Sequence, residues 1–195
     1  IMEKTIRTNI EAMGRQFIVG QETKEAVTGL AKLRKDGFAF TVDLLGEATV
    51  SEEEADAYRD GYLEVLDAIE REQDKWKALP GKGSDSALDW GFTPKVNVSI
   101  KPSALFSQAK SVDVDGSVKG IMSRLVPIYR KVMAMGGFLC IDMESLKYRE
   151  MTLELYRRLR TDPEFRHYPH LSIVLQAYLR CTDHDLADLI KWART

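Results

Sequence analysis

The feature that most constrains the fold is an alternation. Four short apolar, β-rich segments recur along the chain, each followed by a stretch with helical periodicity. They are GFAFTVDLL (Gly37 to Leu45), KVNVSIK (Lys95 to Lys101), GFLCIDM (Gly137 to Met143) and LSIVLQAYL (Leu171 to Leu179). Turn or charge signals flank each one, which is the pattern of a buried strand. After the first, Ser51 with Glu54 three residues on makes a capping-box pattern, and Ala55, Tyr58, Tyr62, Leu66 and Ile69 fall on one helical face. A second helical face holds Val118, Ile121, Met122, Leu125, Tyr129 and Val132, with Pro127 predicting a kink or a split into two helices. A third helix is expected from about Ser145 to Arg160, and a last one from near Asp183 with Leu186, Leu189, Ile190 and Ala193 facing inward. Two further helical patterns, Glu3 to Met13 and Thr23 to Lys35, precede the first strand.

Neighbouring parallel strands need a crossover between them, usually a helix, so this order predicts an α/β fold with a parallel sheet. Composition fits an ordinary globular chain: 195 residues, 44% apolar, 30% charged, net charge −2. There is no basic surplus to argue for nucleic acid as a partner. No run approaches the ~18 consecutive apolar residues of a membrane span, and the opening IMEKTIRTNI lacks the apolar core of a secretory signal. The expected setting is cytoplasmic. Cys140 and Cys181 show no CxxC spacing and read as free thiols. His167, His170 and His184 have no metal-ligand spacing, and Ser103 and Ser107 lack a GxSxG elbow.

Each strand ends in polar residues, and those ends are where an α/β sheet keeps its chemistry. They are Asp43 to Glu47, Lys101, Asp142 with Glu144, and Gln176 with Arg180. A lysine closing an apolar strand loses hydration and needs a carboxylate; Glu47 and Asp142, from the strands on either side, are the candidates. Such a lysine suits a rim salt bridge, a cation for a substrate carboxylate, or a Schiff-base nucleophile. Asp142 also reads as the N-cap of the helix after it. Gln176, an amide in an apolar strand, needs a partner in the protein or on a ligand. No GxGxxG turn follows any strand, which disfavours a Rossmann cofactor site. The turn-rich Pro80 to Gly91 reads as a surface insertion, and the loop Pro102 to Gly116 as a lid or substrate wall on the chemical face.

Four of these motifs carry a resemblance. GFAFTVDLLGEA (Gly37 to Ala48), VSIKPSAL (Val98 to Leu105), FLCIDMES (Phe138 to Ser145) and LSIVLQAYLR (Leu171 to Arg180) resemble, in order, the first four strand motifs of the proline dehydrogenase family. The likeness is greatest to the proline dehydrogenase domain of the bifunctional proline utilization A proteins. Gly14 to Gly37 is similar to the helical lead-in of that domain. The resemblance implies a helical lead-in over residues 1–36 and, over 37–195, the first four βα units of a (βα)8 TIM-like barrel. It implies noncovalent FAD and oxidation of L-proline to Δ1-pyrroline-5-carboxylate, by hydride transfer from the ring carbon beside nitrogen to flavin N5. Electrons would then pass to a membrane quinone, which brings the protein to the periphery of the inner membrane. By position, Lys101 would pair with the proline carboxylate and Glu47 would orient Lys101. Asp142 would join the substrate and flavin-side network, and Gln176 would hydrogen-bond the flavin ring.

The family's later motifs, a fifth strand with an arginine and a last helix with an arginine pair, have no match in the sequence. The chain is therefore expected to be the N-terminal half of a catalytic barrel, inactive alone and prone to dimerise, to pair with its other half or to pack less regularly. A fused aldehyde dehydrogenase domain is a further expectation for the parent protein. Two alternatives stay open at this point. One is a (βα)8 lyase using Lys101 as Schiff-base nucleophile, and the other is a non-catalytic half-barrel module.

Overall fold

Three parallel strands lie side by side in chain order: β1 (Asn97–Ile100), β2 (Phe138–Ile141) and β3 (Leu171–Ile173). They belong to a computed structural model that describes residues 18–46, 48–76 and 94–195, together with Ile6, Ile10, Met13 and Gly14. Helices accompany them: α1 (Thr23–Lys35), α2 (Glu52–Gln73), α3 (Val114–Ala134), α4 (Arg149–Thr161) and α5 (Thr182–Ala193). Short 3-10 turns, Pro102–Leu105 and Leu146–Tyr148, follow β1 and β2. The expected Glu3 to Met13 helix falls largely outside the described residues, and the Pro80 to Gly91 loop wholly so.

Alternation along the strands sorts their side chains onto two faces. Val98, Ile100, Leu139 and Ile141 are fully buried against Tyr62, Leu66 and Ile69 of α2, Ile121 and Leu125 of α3, and Leu155 and Leu159 of α4. Asn97, Ser99, Phe138 and Cys140 lie half-buried on the opposite face. Two glycines turn the chain out of its helix. After α1, Gly37 takes φ +89°, while the Phe38 N–H donates to the Leu33 carbonyl and the Gly37 N–H to that of Arg34. After α3, Gly136 takes φ +66°, with the Gly137 N–H on the Val132 carbonyl and the Gly136 N–H on that of Met133. Both are Schellman caps, which need the left-handed backbone that glycine adopts without penalty.

Several expectations change. The segment Gly37 to Leu45 is not a strand; it makes one parallel bridge, Val42 to Val98, with N–H to carbonyl distances of 2.8 Å to Asn97 and from Ser99. The ladder stops there because side chains take the next backbone groups. The Leu44 N–H donates to the Tyr62 hydroxyl at 3.2 Å, and the Tyr58 hydroxyl donates to the Leu44 carbonyl at 3.1 Å. β3 ends at Ile173 and not at Leu179, with the Val174 N–H making the last ladder bond to Ile141 at 2.9 Å. Lys101 and Asp142 stand one residue past their strands. Pro127 does not split α3. The carbonyl it leaves unbonded belongs to the exposed Ser123, where water can reach it, and seven buried side chains hold the helix along its length.

The helix expected from Ser145 divides into the Leu146–Tyr148 turn and α4. In α5 the expected face is partly wrong: Leu189 is buried, but Leu186 and Ile190 are 48% and 45% exposed and Ala193 is exposed. Asp185 is buried in their stead, drawn in by the Arg149 guanidinium. No helix among the described residues is long and apolar enough to cross a membrane.

Candidate active site

The polar residues that follow β1, β2 and β3 converge on one cavity of about 400 Å³, lined by Lys101, Ser103, Asp142, Glu144, Tyr148 and Gln176 among others. That volume suits a small polar molecule. Lys101, Asp142 and Gln176, singled out from three separate motifs, are thus brought together. Glu47 lies outside the described residues.

Among the described residues the carboxylate beside Lys101 is Asp43, with Lys101 Nζ 2.6 Å from Asp43 Oδ2. Asp43 is held there by its neighbour Leu44, whose backbone is gripped on both sides by Tyr58 and Tyr62. The Tyr62 hydroxyl in turn donates to the Ser99 carbonyl at 2.7 Å, two residues before Lys101. The two tyrosines therefore bind the two backbones that carry the ion pair. Burial, followed by the negative charges of Asp43, Glu144 and Asp142, pushes the Tyr58 hydroxyl up to about 12, so it stays a proton donor. Burial pushes the Tyr62 hydroxyl up as well.

Asp142 caps no helix: Ser145 opens the Leu146–Tyr148 turn and Tyr148 precedes α4. Its N–H continues the sheet ladder to the Ile100 carbonyl at 2.9 Å. Its carboxylate makes no hydrogen bond among the described residues, although it lines the cavity. Gln176 sits in the turn after β3, not within a strand. Its Nε2 donates to the Met143 carbonyl at 2.7 Å and more weakly to that of Glu144 at 3.4 Å. Those two acceptors decide which way the amide faces. Its Oε1 is buried and has no protein donor among the described residues.

The loop after β1 is a wall fixed by two carboxylates, not a free lid. Glu144 accepts from the Ser103 N–H at 3.0 Å and hydroxyl at 2.5 Å. Glu52 accepts from the Ser107 N–H at 3.1 Å and hydroxyl at 2.5 Å, and Ser107 and Arg124 hold its carboxyl below the usual range. Tyr58, Tyr62 and Ser103 were the parts missed by periodicity. Their signal was a hydroxyl at positions where an apolar stripe or a tight turn requires none. A larger cavity of about 660 Å³ lies behind Asp43, between residues 18–21, α1 and α2, and its lining is mainly apolar.

Comparison with known proteins gives one answer. The family model described as proline dehydrogenase matches residues 26–195. The bifunctional protein PutA of Klebsiella aerogenes is 28% identical over 91% of this chain and 12% of its own length. The proline dehydrogenase of Deinococcus radiodurans is 27% identical over 96% of this chain and 52% of its own. The crystal structure of proline utilization A from Bdellovibrio bacteriovorus, inactivated by N-propargylglycine, superposes with a TM-score of 0.90 and 39% identity, over 99% of this chain and 20% of that one. A Bradyrhizobium japonicum proline utilization A mutant, at 20% identity and a TM-score of 0.70, shares the fold. The chain thus spans from an eighth to about half the length of these relatives.

Proposed function

Since the chain belongs to the proline dehydrogenase family, we propose that it supplies the substrate-anchoring and flavin-contacting strand ends of an FAD-dependent enzyme that oxidises L-proline to Δ1-pyrroline-5-carboxylate. The observation that carries this reading is the meeting of Lys101, Asp142 and Gln176 on one cavity of about 400 Å³. In the family's terms the parallel sheet is the first part of a (βα)8 barrel, with Val42 marking its first strand and the half-buried face of Ser99 and Cys140 turned inward. Residues 1–36 form its lead-in.

Proline is a small zwitterion, so its site needs a cation for the carboxylate. Lys101 supplies the cation, and Asp43 holds it in place at 2.6 Å; Glu47, four residues on, is the second carboxylate assigned to orient it. The ion pair also disfavours the Schiff-base alternative, because an ammonium bound to a carboxylate has no lone pair for a carbonyl. Asp142, with its carboxylate free of hydrogen bonds among the described residues, is available to the substrate and flavin side. The wall at Ser103 is fixed by the Glu144 carboxylate, so that side of the cavity keeps its shape.

The residues fit a flavin at one testable point. Gln176 Oε1 is a buried acceptor with no protein donor among the described residues, at a cost of ~1–3 kcal/mol if left unmet, and an imide N–H on a ring edge would satisfy it. FAD, when bound, supplies the acceptor for the hydride leaving the carbon beside the proline nitrogen. The transfer needs the ring nitrogen as a neutral amine, the extra proton of the zwitterion having passed to water, so that its lone pair forms the new C=N bond as the hydride leaves. A membrane quinone is the proposed final electron acceptor. The Bdellovibrio relative supports the substrate class: its inactivator, N-propargylglycine, places a secondary amine beside a carboxylate, as proline does.

Steady-state oxidation of L-proline by the full-length protein, with a soluble quinone as acceptor, tests the reading. Lys101→Met is expected to raise KM by about 10- to 100-fold, the worth of one charge-assisted hydrogen bond. Unchanged KM in that variant would contradict the assignment.

A further inference from the structure

The cation and the amide of this site are joined through the carboxylate that props the loop after β1. Glu144 spreads its two carboxylate oxygens over two donors of one residue, accepting the Ser103 N–H on Oε2 at 3.0 Å and the Ser103 hydroxyl on Oε1 at 2.5 Å. Ser103 is 3% exposed, so water cannot replace that carboxylate. The Pro102–Leu105 turn starts directly after Lys101, and the Ala104 N–H closes it onto the Lys101 carbonyl at 3.2 Å. Pro102, at the first position of the turn, restricts its own φ and leaves little play between clamp and cation. Glu144 therefore fixes the backbone from which the Lys101 side chain departs. On its other side, the Met143 and Glu144 carbonyls take the Gln176 amide. Glu144 thus ties together the chain ends that follow β1, β2 and β3.

We propose that Glu144 is a positioning residue: it acts through Ser103 to hold Lys101 where a substrate carboxylate meets it. Glutamine in its place offers one acceptor oxygen where the clamp uses two, and alanine offers none. The inference rests on the reading of Lys101 as the carboxylate anchor, and two readouts keep the two claims separable.

The first readout is kinetic, in the full-length, FAD-loaded protein. Glu144→Ala is expected to raise KM for L-proline about 10-fold or more, with kcat changed less than about 3-fold; the melting temperature falls by a few degrees, since two donors of a buried serine are left unmet. Glu144→Gln regains part of that loss. Ser103→Ala gives a smaller rise, and the double variant is no worse than Glu144→Ala alone, because both substitutions break one clamp. Unchanged KM in Glu144→Ala, or fully additive effects, overturns the proposal. The second readout needs no turnover: the rate at which an acetylating reagent modifies Lys101, followed by mass spectrometry. A rise of about 5-fold or more in Glu144→Ala supports the clamp, and an equal rate overturns it. If the wild type does not oxidise proline, the substrate reading fails while the acetylation rates still decide the clamp. Should Glu144→Ala not fold, Glu144→Gln and Ser103→Ala carry both readouts.

Discussion

The Tyr62 side chain has no exposed surface, yet its hydroxyl makes two backbone bonds, donating to Ser99 at 2.7 Å and accepting from Leu44 at 3.2 Å. Removing that one oxygen leaves a half-buried carbonyl and a half-buried N–H unmet. Tyr62→Phe is therefore expected to lose about 2 kcal/mol of stability in urea denaturation, and to raise KM for proline more than it lowers kcat, since Asp43 loses its support. An unchanged denaturation midpoint would contradict the bonding described. Lys101, Asp142 and Gln176 were legible in the sequence because a polar residue closing an apolar strand has few other reasons to be there. That Asp43 is the carboxylate found beside Lys101 was not legible. Asp43 and Glu47 stand four residues apart at the end of one run, an even spacing that puts both on one face of an extended chain, so alternation alone does not choose between them. The tyrosine hydroxyls were hidden for a related reason: helical spacing says which face a residue is on, and nothing about which backbone group its last atom meets.

Among the elements, α5 depends on one contact more than on its apolar face. Leu186 and Ile190 are about half exposed, whereas Asp185, 4% exposed, forms a two-pronged pair with Arg149 at the start of α4. The hydrogen bonds from Arg149 hold the Asp185 carboxyl below its usual range, against the opposing effect of burial. A carboxylate with a depressed folded-state value stabilises the protein above about pH 4, its unfolded value, and that stabilisation is lost as pH falls through the folded value. Arg149→Ala should cost about 3 kcal/mol at neutral pH, the low end for breaking a buried pair because Arg149 still reaches solvent. The difference from wild type should shrink in acid. Urea denaturation at pH 7 and pH 3 checks this, and a gap that widens at low pH would contradict it.

The same contact explains why the inward face of α5 was misread: counting apolar positions cannot anticipate a buried acid whose partner lies 36 residues earlier. Pro127 was misread for the opposite reason. Its cost depends on whether water reaches the Ser123 carbonyl, which is a property of the assembled helix.

Across the whole molecule, the parallel α/β arrangement was legible because apolar β-rich runs alternating with helical stripes leave the chain few other ways to bury both. The number of strands was less legible, because hydroxyls from α2 intercept the first segment after one bridge. The site follows from the arrangement. Three successive parallel strands release their chains at the same end, so Lys101, Asp142 and Gln176 meet although they span 76 positions. The proposal to be tested is that this meeting place anchors proline against a flavin. The most direct measurement is anaerobic titration of L-proline into the purified full-length protein, followed by flavin absorbance. FAD is expected to accompany the protein and to bleach on adding proline, and Lys101→Met to need far higher proline concentrations for the same loss of colour. A flavin band indifferent to proline, or one that bleaches equally in Lys101→Met, would contradict it.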